Sequence, residues 1–366
     1  MGNKLEPKLE NMQTLWQIVN LLNSSLDINE VLEIALDQAM RVVDAEAGTL
    51  WLVNSEEADI LEPVIAKGPK ADNLKGLKLK MGEGMAGWVT EHKTSQFVMD
   101  VQNDERWSQR FDQTSGFITR SLLCVPLITQ SSCIGCLQLV NKLGDKLFDE
   151  NDLELCESLS GVIATAIENG QLYTDLKIML TGFLRTLSAA LDARDPYTQG
   201  HSERVSDYSL MIGKTLQMSA EELEILERAA LLHDIGKIGV RDDILLKQTP
   251  LDDEEFKIMK EHPKWGEKIL DDIMPKKLVK DLCIGASFHH ERYDGRGYPH
   301  GKMQEEIPLI ARIIAIADTF DAMTSDRPYR KGLDKMVALE EIERCKGTQF
   351  DPALADLFIN AMLKGR

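Results

Sequence analysis

The chain has 366 residues, of which 43% are hydrophobic and 28% charged, a composition typical of a soluble protein with two domains. Its 60 acidic and 42 basic side chains give a formal net charge of −18, which opposes binding to DNA or to an anionic membrane surface. A small anionic substrate is compatible with this charge if metal ions or a local basic cluster offset the negative field at its site.

The sequence has no apolar run long enough to cross a membrane, and its first residues lack the apolar core of a signal peptide. We therefore expect a cytoplasmic protein. The six cysteines do not form the pattern of a disulfide framework. Cys133 and Cys136 lie in an apolar run typical of a buried strand, so we interpret them as core residues.

The first half of the chain combines helical and extended patterns. Apolar residues at helical spacing predict helices within residues 9–22 and 31–39. A glycine cluster at residues 82–87 leads into another helical segment. Four predicted strands are Ala47–Val53, Ile60–Ala66, Leu122–Ile128 and Ile134–Asn141. Helices that flank an antiparallel sheet indicate an α+β sensor domain.

Residues 15–168 resemble a GAF domain. The resemblance rests on three features: Gly82-x-Gly84-x-x-Gly87-Trp88, the strand Ser121–Pro126, and Ile134-Gly135 followed by Leu139–Lys142. It implies either a pocket for a small molecule or a purely structural dimerisation module. Both readings stay open, and the ligand is unknown.

Apolar residues recur every three to five positions from Leu153 to Leu191. This spacing predicts one long helix, or two nearly continuous ones, with an extended apolar face. Such a helix between two domains can transmit a rotation or a shift. Its apolar face suits the seam of a parallel homodimer, which we expect, although it could instead pack on its own domain.

Six of the seven histidines follow residue 200, in a half whose sequence predicts almost only helices. Several of them, and two aspartates, end or interrupt apolar runs, where a carboxylate is costly to bury unless it is hydrogen-bonded or binds a cation. Nitrogen and oxygen ligands without thiolates favour iron or manganese over structural zinc. The candidate ligands for two divalent transition metals are His201, His233, Asp234, His262, His289, His290 and Asp318.

Two neighbouring cations can bind a phosphodiester and activate water for its hydrolysis. Asp234 is the natural bridge between them and a predicted catalytic residue. Lys237 follows Asp234 by one turn, so its ammonium can reach a bound phosphate. Gly236 is expected to relax the backbone at this turn.

Residues 180–366 resemble the HD-GYP subgroup of HD-domain phosphohydrolases. Four ordered motifs carry the resemblance: Asp195-Pro-Tyr-Thr-x-x-His201-Ser202, His233-Asp-Ile-Gly-Lys237, His289-His-Glu-Arg-Tyr-Asp-Gly-Arg-Gly-Tyr-Pro299 and Ile316-Ala-Asp-x-x-Asp-Ala-Met-x-x-x-Arg-Pro-Tyr-Arg330. The resemblance implies hydrolysis of cyclic di-GMP to linear pGpG, and whether a second cleavage to GMP follows stays open.

The resemblance also implies a role for each site residue. One metal would be held by His201, His233, Asp234 and Asp318, and the other by Asp234, His262, His289 and His290. Substrate contacts would come from Lys237 at the scissile phosphate, Arg327 and Arg330 at the flanking phosphate, and Tyr298. The Gly297-Tyr298-Pro299 loop would also offer a surface to cyclase-domain partners. Because Tyr197 stands where some members have a glutamate for a third metal, we expect two metals.

The predicted organisation is a GAF domain with its N-terminal helix at residues 1–168, a helical linker at 169–190, and an all-α HD-type domain at 191–366. The predicted function is GAF-regulated hydrolysis of cyclic di-GMP. Two other enzyme substrates fit the same ligands, 3′,3′-cyclic GMP-AMP and a nucleotide monophosphate ester. A third reading is a catalytically silent adaptor that binds a dinucleotide or a cyclase partner.

Overall fold

The computed structural model describes residues 16–22, 24–107, 117–194, 200–326 and 331–364. The chain divides between Lys177 and Ile178 into two compact units. In the part of the chain that the structure describes, no helix has both the length and the apolar character needed to cross a bilayer.

The first unit is built on a six-stranded antiparallel sheet. In chain order, its elements are α1 (Ile28–Val42), β1 (Ala45–Val53), β2 (Ile60–Lys67), β3 (Leu79–Lys80), α2 (Gly84–His92), β4 (Gln96–Val98), β5 (Leu122–Ile128) and β6 (Cys133–Lys142). The strand order in the sheet is β3-β2-β1-β6-β5-β4. Residues 16–22 are also helical. This arrangement confirms the predicted α+β domain with helices beside an antiparallel sheet.

Alternation along the central strands distributes apolar side chains to both faces of the sheet. Leu50 and Leu139 belong to a core that includes buried residues of α1. Trp51 and Cys136 belong to a second core, which includes Val89 of α2. The sheet is therefore covered on both faces, which explains why its central strands read as nearly continuous apolar runs.

The next helix, α3 (Glu150–Arg194), is continuous over 45 residues, so the long linker helix is confirmed as one helix rather than two. Asp149 begins it, because its carboxylate accepts hydrogen bonds from the backbone N–H groups of Asn151 and Asp152. The early part of α3 adds Leu159 and Ile163 to the core of the first unit, and the late part adds Leu184 to the core of the second.

The second unit is helical, as predicted. Its helices are α4 (His201–Thr215), α5 (Ala220–Leu231), α6 (Asp242–Leu245), α7 (Asp253–Met259), α8 (His262–Asp271), α9 (Lys280–Phe288), α10 (Leu309–Thr324), α11 (Lys335–Arg344) and α12 (Pro352–Lys364). Phe320 of α10 and Phe358 of α12 are fully buried at the centre, where their rings meet edge to face with centroids 5.1 Å apart. This core holds α10 against α4 and α12.

At Gly135, strands β1 and β6 approach too closely to leave room for a side chain. Gly135 pairs with Leu52 at a φ of +151°, and an added Cβ would lie 1.9 Å from the carbonyl oxygen of Trp51. We expect Gly135→Ala to lower the free energy of unfolding of the first unit by roughly 1–3 kcal/mol, because strain and steric overlap coincide. Urea unfolding followed by tryptophan fluorescence measures the change.

Gly161→Ala is the control, since Gly161 lies exposed in α3 with nothing within 4 Å of an added Cβ. Alanine there is expected to be neutral or stabilising by about 0.5–1 kcal/mol. An unchanged urea midpoint for Gly135→Ala would show that the two strands can separate at no cost.

Candidate metal centre

The predicted ligands are brought together mainly by the ends of helices. His233 and Asp234 follow the end of α5, and His289 and His290 follow the end of α9. The other three come from the first residue of α4, the first residue of α8 and the interior of α10: His201, His262 and Asp318. Five helices thus contribute to one cluster.

Asp234 lies at the centre of this cluster. One carboxylate oxygen, Oδ1, is 3.3 Å from His262 Nε2 and 3.7 Å from His289 Nε2. The other, Oδ2, is 3.4 Å from His233 Nε2 and 3.8 Å from His201 Nε2. Each oxygen therefore faces two imidazoles, the geometry that a carboxylate between two cations needs.

The ligand atoms form two groups, in each of which all atoms lie within 4.8 Å of one another. The first group is His201, His233 and Asp318, and the second group is Asp234, His262, His289 and His290. Asp318 approaches His201 in the first group, with 3.4 Å between Oδ1 and Nε2. The structure therefore brings together all seven residues that the sequence predicted as ligands.

Hydrogen bonds fix which nitrogen of each histidine can bind a metal. His233 Nδ1 lies 2.7 Å from the carbonyl oxygen of Ala230, and His262 Nδ1 lies 2.8 Å from the carbonyl oxygen of Met259. His289 Nδ1 lies 3.0 Å from the carbonyl oxygen of Gly285. A carbonyl oxygen can only accept, so Nδ1 carries the proton and Nε2 presents its lone pair to the cluster.

These lone pairs fit a cation. His262 Nε2 and His289 Nε2 are 3.3 Å apart, and with both Nδ1 atoms protonated no hydrogen lies between them. His233 Nε2 is buried and has no hydrogen-bond partner among the described residues. Burial, reinforced by neighbouring histidines, lowers the pKa of His290 to about 3 and that of His289 well below its ordinary value. A bound metal would satisfy the Nε2 lone pairs that the Nδ1 hydrogen bonds leave facing the cluster.

Both carboxylates of the cluster, Asp234 and Asp318, are ionised before any cation binds. Burial raises the pKa of Asp234, but the Lys237 ammonium and His233 outweigh burial and hold it well below its ordinary value. Burial likewise opposes ionisation of Asp318, and the hydrogen bond from His201 outweighs it. For His201, burial lowers the pKa, but Asp318 and Asp321 raise it to about 9. Buried carboxylates need a compensating positive charge, and the Lys237 ammonium lies beside Asp234 while the protonated His201 lies beside Asp318.

The cluster opens into a cavity of about 640 Å³, a volume within the usual range of ligand pockets. Lys237 lines the cavity, and its Nζ donates to Asp234 Oδ2 over 2.5 Å. Ile244, Leu251 and Phe256 supply an apolar wall. The cavity therefore combines a polar floor with an apolar side.

Tyr298 also lines the cavity and stacks on a predicted ligand. Its ring centroid is 4.8 Å from that of His290, with 28° between the planes. Its backbone N–H donates to the carbonyl of His290, and the buried carboxylate of Glu291 accepts from the N–H groups of His300 and Lys302. Burial raises the pKa of Tyr298, so its hydroxyl stays protonated and can donate.

Four residues discussed from the sequence lie outside the described residues: Asp195, Tyr197, Arg327 and Arg330. The two-metal expectation drawn from Tyr197 and the phosphate contacts assigned to the two arginines stay predictions.

Sequence reasoning gave no role to Asp321 and Glu291. Asp321 accepts a hydrogen bond from His201, and Glu291 holds the loop of Tyr298. Asp321 had a usable signal, since it follows Asp318 by three residues and so lies on the same face of α10. Glu291 had no such signal, because its partners are backbone groups of a loop.

Gly236 has a different role from the one predicted. An added Cβ would lie 1.8 Å from the carbonyl oxygen of His262 and 2.5 Å from the nitrogen of Gly266. The 3₁₀ turn Ile235–Gly239 therefore packs directly on the backbone of α8. The expectation that Gly236 relaxes the backbone was wrong; the residue is needed for close approach, and this contact places Asp234 beside His262.

Comparison with known proteins assigns both halves of the chain. Residues 25–168 match the model of the GAF domain, and residues 185–354 match the model of the HD domain. The Xanthomonas campestris protein named cyclic di-GMP phosphodiesterase response regulator RpfG is 41% identical over 183 residues, which are 50% of this chain and 47% of that protein.

Two further relatives have similar names. The Thermotoga maritima protein named cyclic di-GMP phosphodiesterase is 40% identical over 52% of this chain and 51% of its own length. The Vibrio cholerae protein named 3′3′-cGAMP-specific phosphodiesterase 3 is 44% identical over 44% of this chain and 35% of its own length. The chain thus spans about half, or less, of the length of these curated relatives.

Gly236→Ala tests whether contact with α8 sets the position of Asp234. We expect the affinity for Mn(II) to fall at least about tenfold, because a Cβ would push the Asp234 turn away from His262. Isothermal titration of metal-free protein with Mn(II) measures this affinity. Gly182→Ala is the control, because an added Cβ there meets nothing within 4 Å. Equal affinities in the two variants would contradict the prediction.

Proposed function

The chain contains a GAF domain followed by an HD domain, and from this we propose that it is a metal-dependent phosphodiesterase that hydrolyses cyclic di-GMP. The observation that carries the proposal is the pair of ligand groups around Asp234, which lies at the floor of a cavity lined by Lys237. Relatives named as cyclic di-GMP phosphodiesterases support the substrate class.

The two metals are proposed to be iron or manganese, because the seven ligands offer imidazole nitrogen and carboxylate oxygen without sulfur. The first group would hold one metal, the second group the other, and Asp234 would contact both. When bound, such ions supply Lewis-acid stabilisation of the phosphate oxygens. The protein's part is to hold the imidazoles as neutral Nε2 ligands, which their Nδ1 hydrogen bonds accomplish.

Substrate binding is assigned to residues around the cavity. Lys237 is proposed to donate to the scissile phosphate, since its ammonium already lies beside the ligand carboxylate of Asp234. Tyr298 is proposed to donate from its protonated hydroxyl. Arg327 and Arg330 are proposed at the flanking phosphate on the strength of the sequence resemblance. The apolar wall at Phe256 suits a nucleobase.

Linear pGpG is the proposed product, with GMP after a second cleavage. Cyclic GMP-AMP is the second candidate substrate, because a relative that is 44% identical is named as specific for it. The described ligands act on phosphate rather than on the bases, so the two substrates are distinguished by assay. The adaptor reading has less support, since all seven ligands are present and face one another.

The GAF domain is proposed to regulate hydrolysis through α3. This helix contributes Ile163 to the core of the first unit and Leu184 to the core of the second without interruption of its hydrogen-bond ladder. A displacement of its early part is thereby passed along the helix. Cyclase-domain partners are proposed at the Gly297–Pro299 loop, again on the sequence resemblance.

A homodimer is proposed through the middle of α3. Leu172, Leu176, Met179 and Phe183 follow the spacing four, three, four, which is a heptad pattern. Each is 56–67% exposed, although burial of such a side chain contributes about 1.5–3 kcal/mol. A second copy of the same helix presents an identical apolar stripe, and in the proposed parallel alignment each position of the stripe meets its own copy.

Turnover tests the proposed function. Anaerobically purified protein, loaded with Fe(II) or Mn(II), is expected to convert cyclic di-GMP to linear pGpG. Asp234→Ala is expected to lower the rate about a thousandfold or more, because it removes the carboxylate shared by the two groups. Product is measured by liquid chromatography, with 3′,3′-cyclic GMP-AMP assayed in parallel.

Asp243→Ala is the control, because Asp243 is an exposed acid that pairs with Arg241, and neither residue lines the cavity. It should retain full activity. Absence of product from both substrates with either metal would reject the phosphodiesterase and favour the adaptor.

The dimer is tested at the heptad positions. Leu176→Glu with Met179→Glu is expected to give a monomer, because like charges would face each other across the seam. Sedimentation velocity measures the mass. Ile178→Glu is the matched control: Ile178 is 67% exposed but lies off the heptad stripe, so this variant should remain a dimer. A monomeric unchanged protein, or dissociation of the control as well, would reject this seam.

A further inference from the structure

Asp321 is a buried carboxylate that contacts the metal centre without being one of its seven predicted ligands. It is only 1% exposed, and its Oδ2 lies 2.7 Å from His201 Nδ1. An ionised carboxylate can only accept, so His201 carries its proton on Nδ1. His201 Nε2 faces the first group, with Asp318 Oδ1 3.4 Å away, and it offers a lone pair to a metal once the proton it shares with Asp318 is displaced.

The orientation of Asp321 is itself fixed by other donors. Arg204 donates from Nε to Oδ1 over 2.6 Å and from its terminal nitrogen to Oδ2 over 3.0 Å. The hydroxyl of Ser325 lies 3.3 Å from Oδ2. Because both oxygens are held, the carboxylate cannot turn away from His201 without breaking several bonds.

His201 differs in this respect from three other ligands. His233, His262 and His289 direct Nδ1 to main-chain carbonyls, which carry only partial negative charge. A full negative charge on the hydrogen-bond acceptor raises the basicity of an imidazole ligand and secures its orientation. Among these four histidines, the first group thus contains the one that is supported by a carboxylate.

We propose that Asp321 is a positioning residue that sets the metal affinity of the first group and leaves the second group unaffected. The proposal rests on the metal centre of the proposed function and adds a residue to it. Asp318 and Asp321 lie one turn apart on α10, so this helix supplies a ligand and also the support of a ligand on α4. The second group contains no residue of α10.

Mn(II) titration of Asp321→Asn tests the proposal without any measurement of turnover. Metal-free full-length protein is titrated, and bound ions are counted calorimetrically and by electron paramagnetic resonance. One of two Mn(II) affinities is expected to fall about 10–100-fold, the usual effect of losing such an outer carboxylate, while the other stays unchanged. Two unchanged affinities, or an equal loss at both sites, would overturn the proposal.

His290→Ala identifies the affected site, because His290 belongs to the second group. If Asp321 acts on the first group, Asp321→Asn combined with His290→Ala weakens both sites. If the double variant instead retains one site of full affinity, Asp321 acts on the same site as His290 and the proposal is wrong.

Asp351→Asn is the matched control for the loss of a buried acid. Asp351 is 7% exposed and pairs with Arg312 of α10, the helix that carries Asp321, and neither Asp351 nor Arg312 lines the cavity. It should bind Mn(II) as the unchanged protein does, and an equal loss there would attribute the effect to disturbance of α10. Failure of the unchanged protein to bind Mn(II) would reject the proposed metal centre, a result distinct from two normal sites in Asp321→Asn.

Arg204→Gln provides a second route if Asp321→Asn does not fold. The Arg204 side chain is 39% exposed, so its replacement disturbs the core less. It leaves the bond between His201 and Asp321 in place but releases the other side of the carboxylate. A smaller weakening at the same site is expected, and no weakening would count against the proposal.

Discussion

The second unit depends on the burial of one carboxylate among imidazoles. Asp234 is 5% exposed and lies within 3.8 Å of the Nε2 atoms of four histidines. An ionised group in such a place is tolerated only where positive charge and hydrogen bonds offset its loss of hydration. The helices must therefore begin or end at positions from which the histidine side chains can reach Asp234. Gly236 shows this dependence, because even a methyl group there would separate the Asp234 turn from α8.

Carbonyl groups at the ends of three helices accept hydrogen bonds from predicted metal ligands. The last carbonyls of a helix have no partner within it. Ala230 lies in the last turn of α5, Gly285 in the last turn of α9, and Met259 is the final residue of α7. Each accepts from the Nδ1 of a predicted ligand. One hydrogen bond thereby completes a helix end and fixes a tautomer. His201 begins a helix instead of following one, and its Nδ1 donates to the carboxylate of Asp321.

The sequence could predict features that depend on neighbouring residues, but not contacts between residues far apart in the chain. Periodicity depends on neighbours along the chain, so the long helix and the alternation of strands could be inferred from it. The ligands could be proposed because polar pairs such as His289 and His290 end apolar runs. The position of Asp321 on the same face of α10 as Asp318 could also be inferred, but its contact with His201 could not, since that contact joins residues 120 positions apart in the chain. Its orientation follows from tertiary packing of α4 on α10, which no local pattern encodes.

Packing into the two cores explains the apolar residues at the two ends of α3 but not those in its middle. Its early part must be apolar to fill the core of the first unit, and its late part must be apolar to fill the core of the second. The middle of the helix fills neither core, yet Leu176 and Met179 in this part are apolar and more than half exposed. A solvated connector would place charged residues at these positions. Their spacing is instead that of a coiled coil, which supports the proposed contact with a second copy of the helix. Pairing would also stiffen the helix, and a stiff helix passes on a displacement that a flexible connector would absorb.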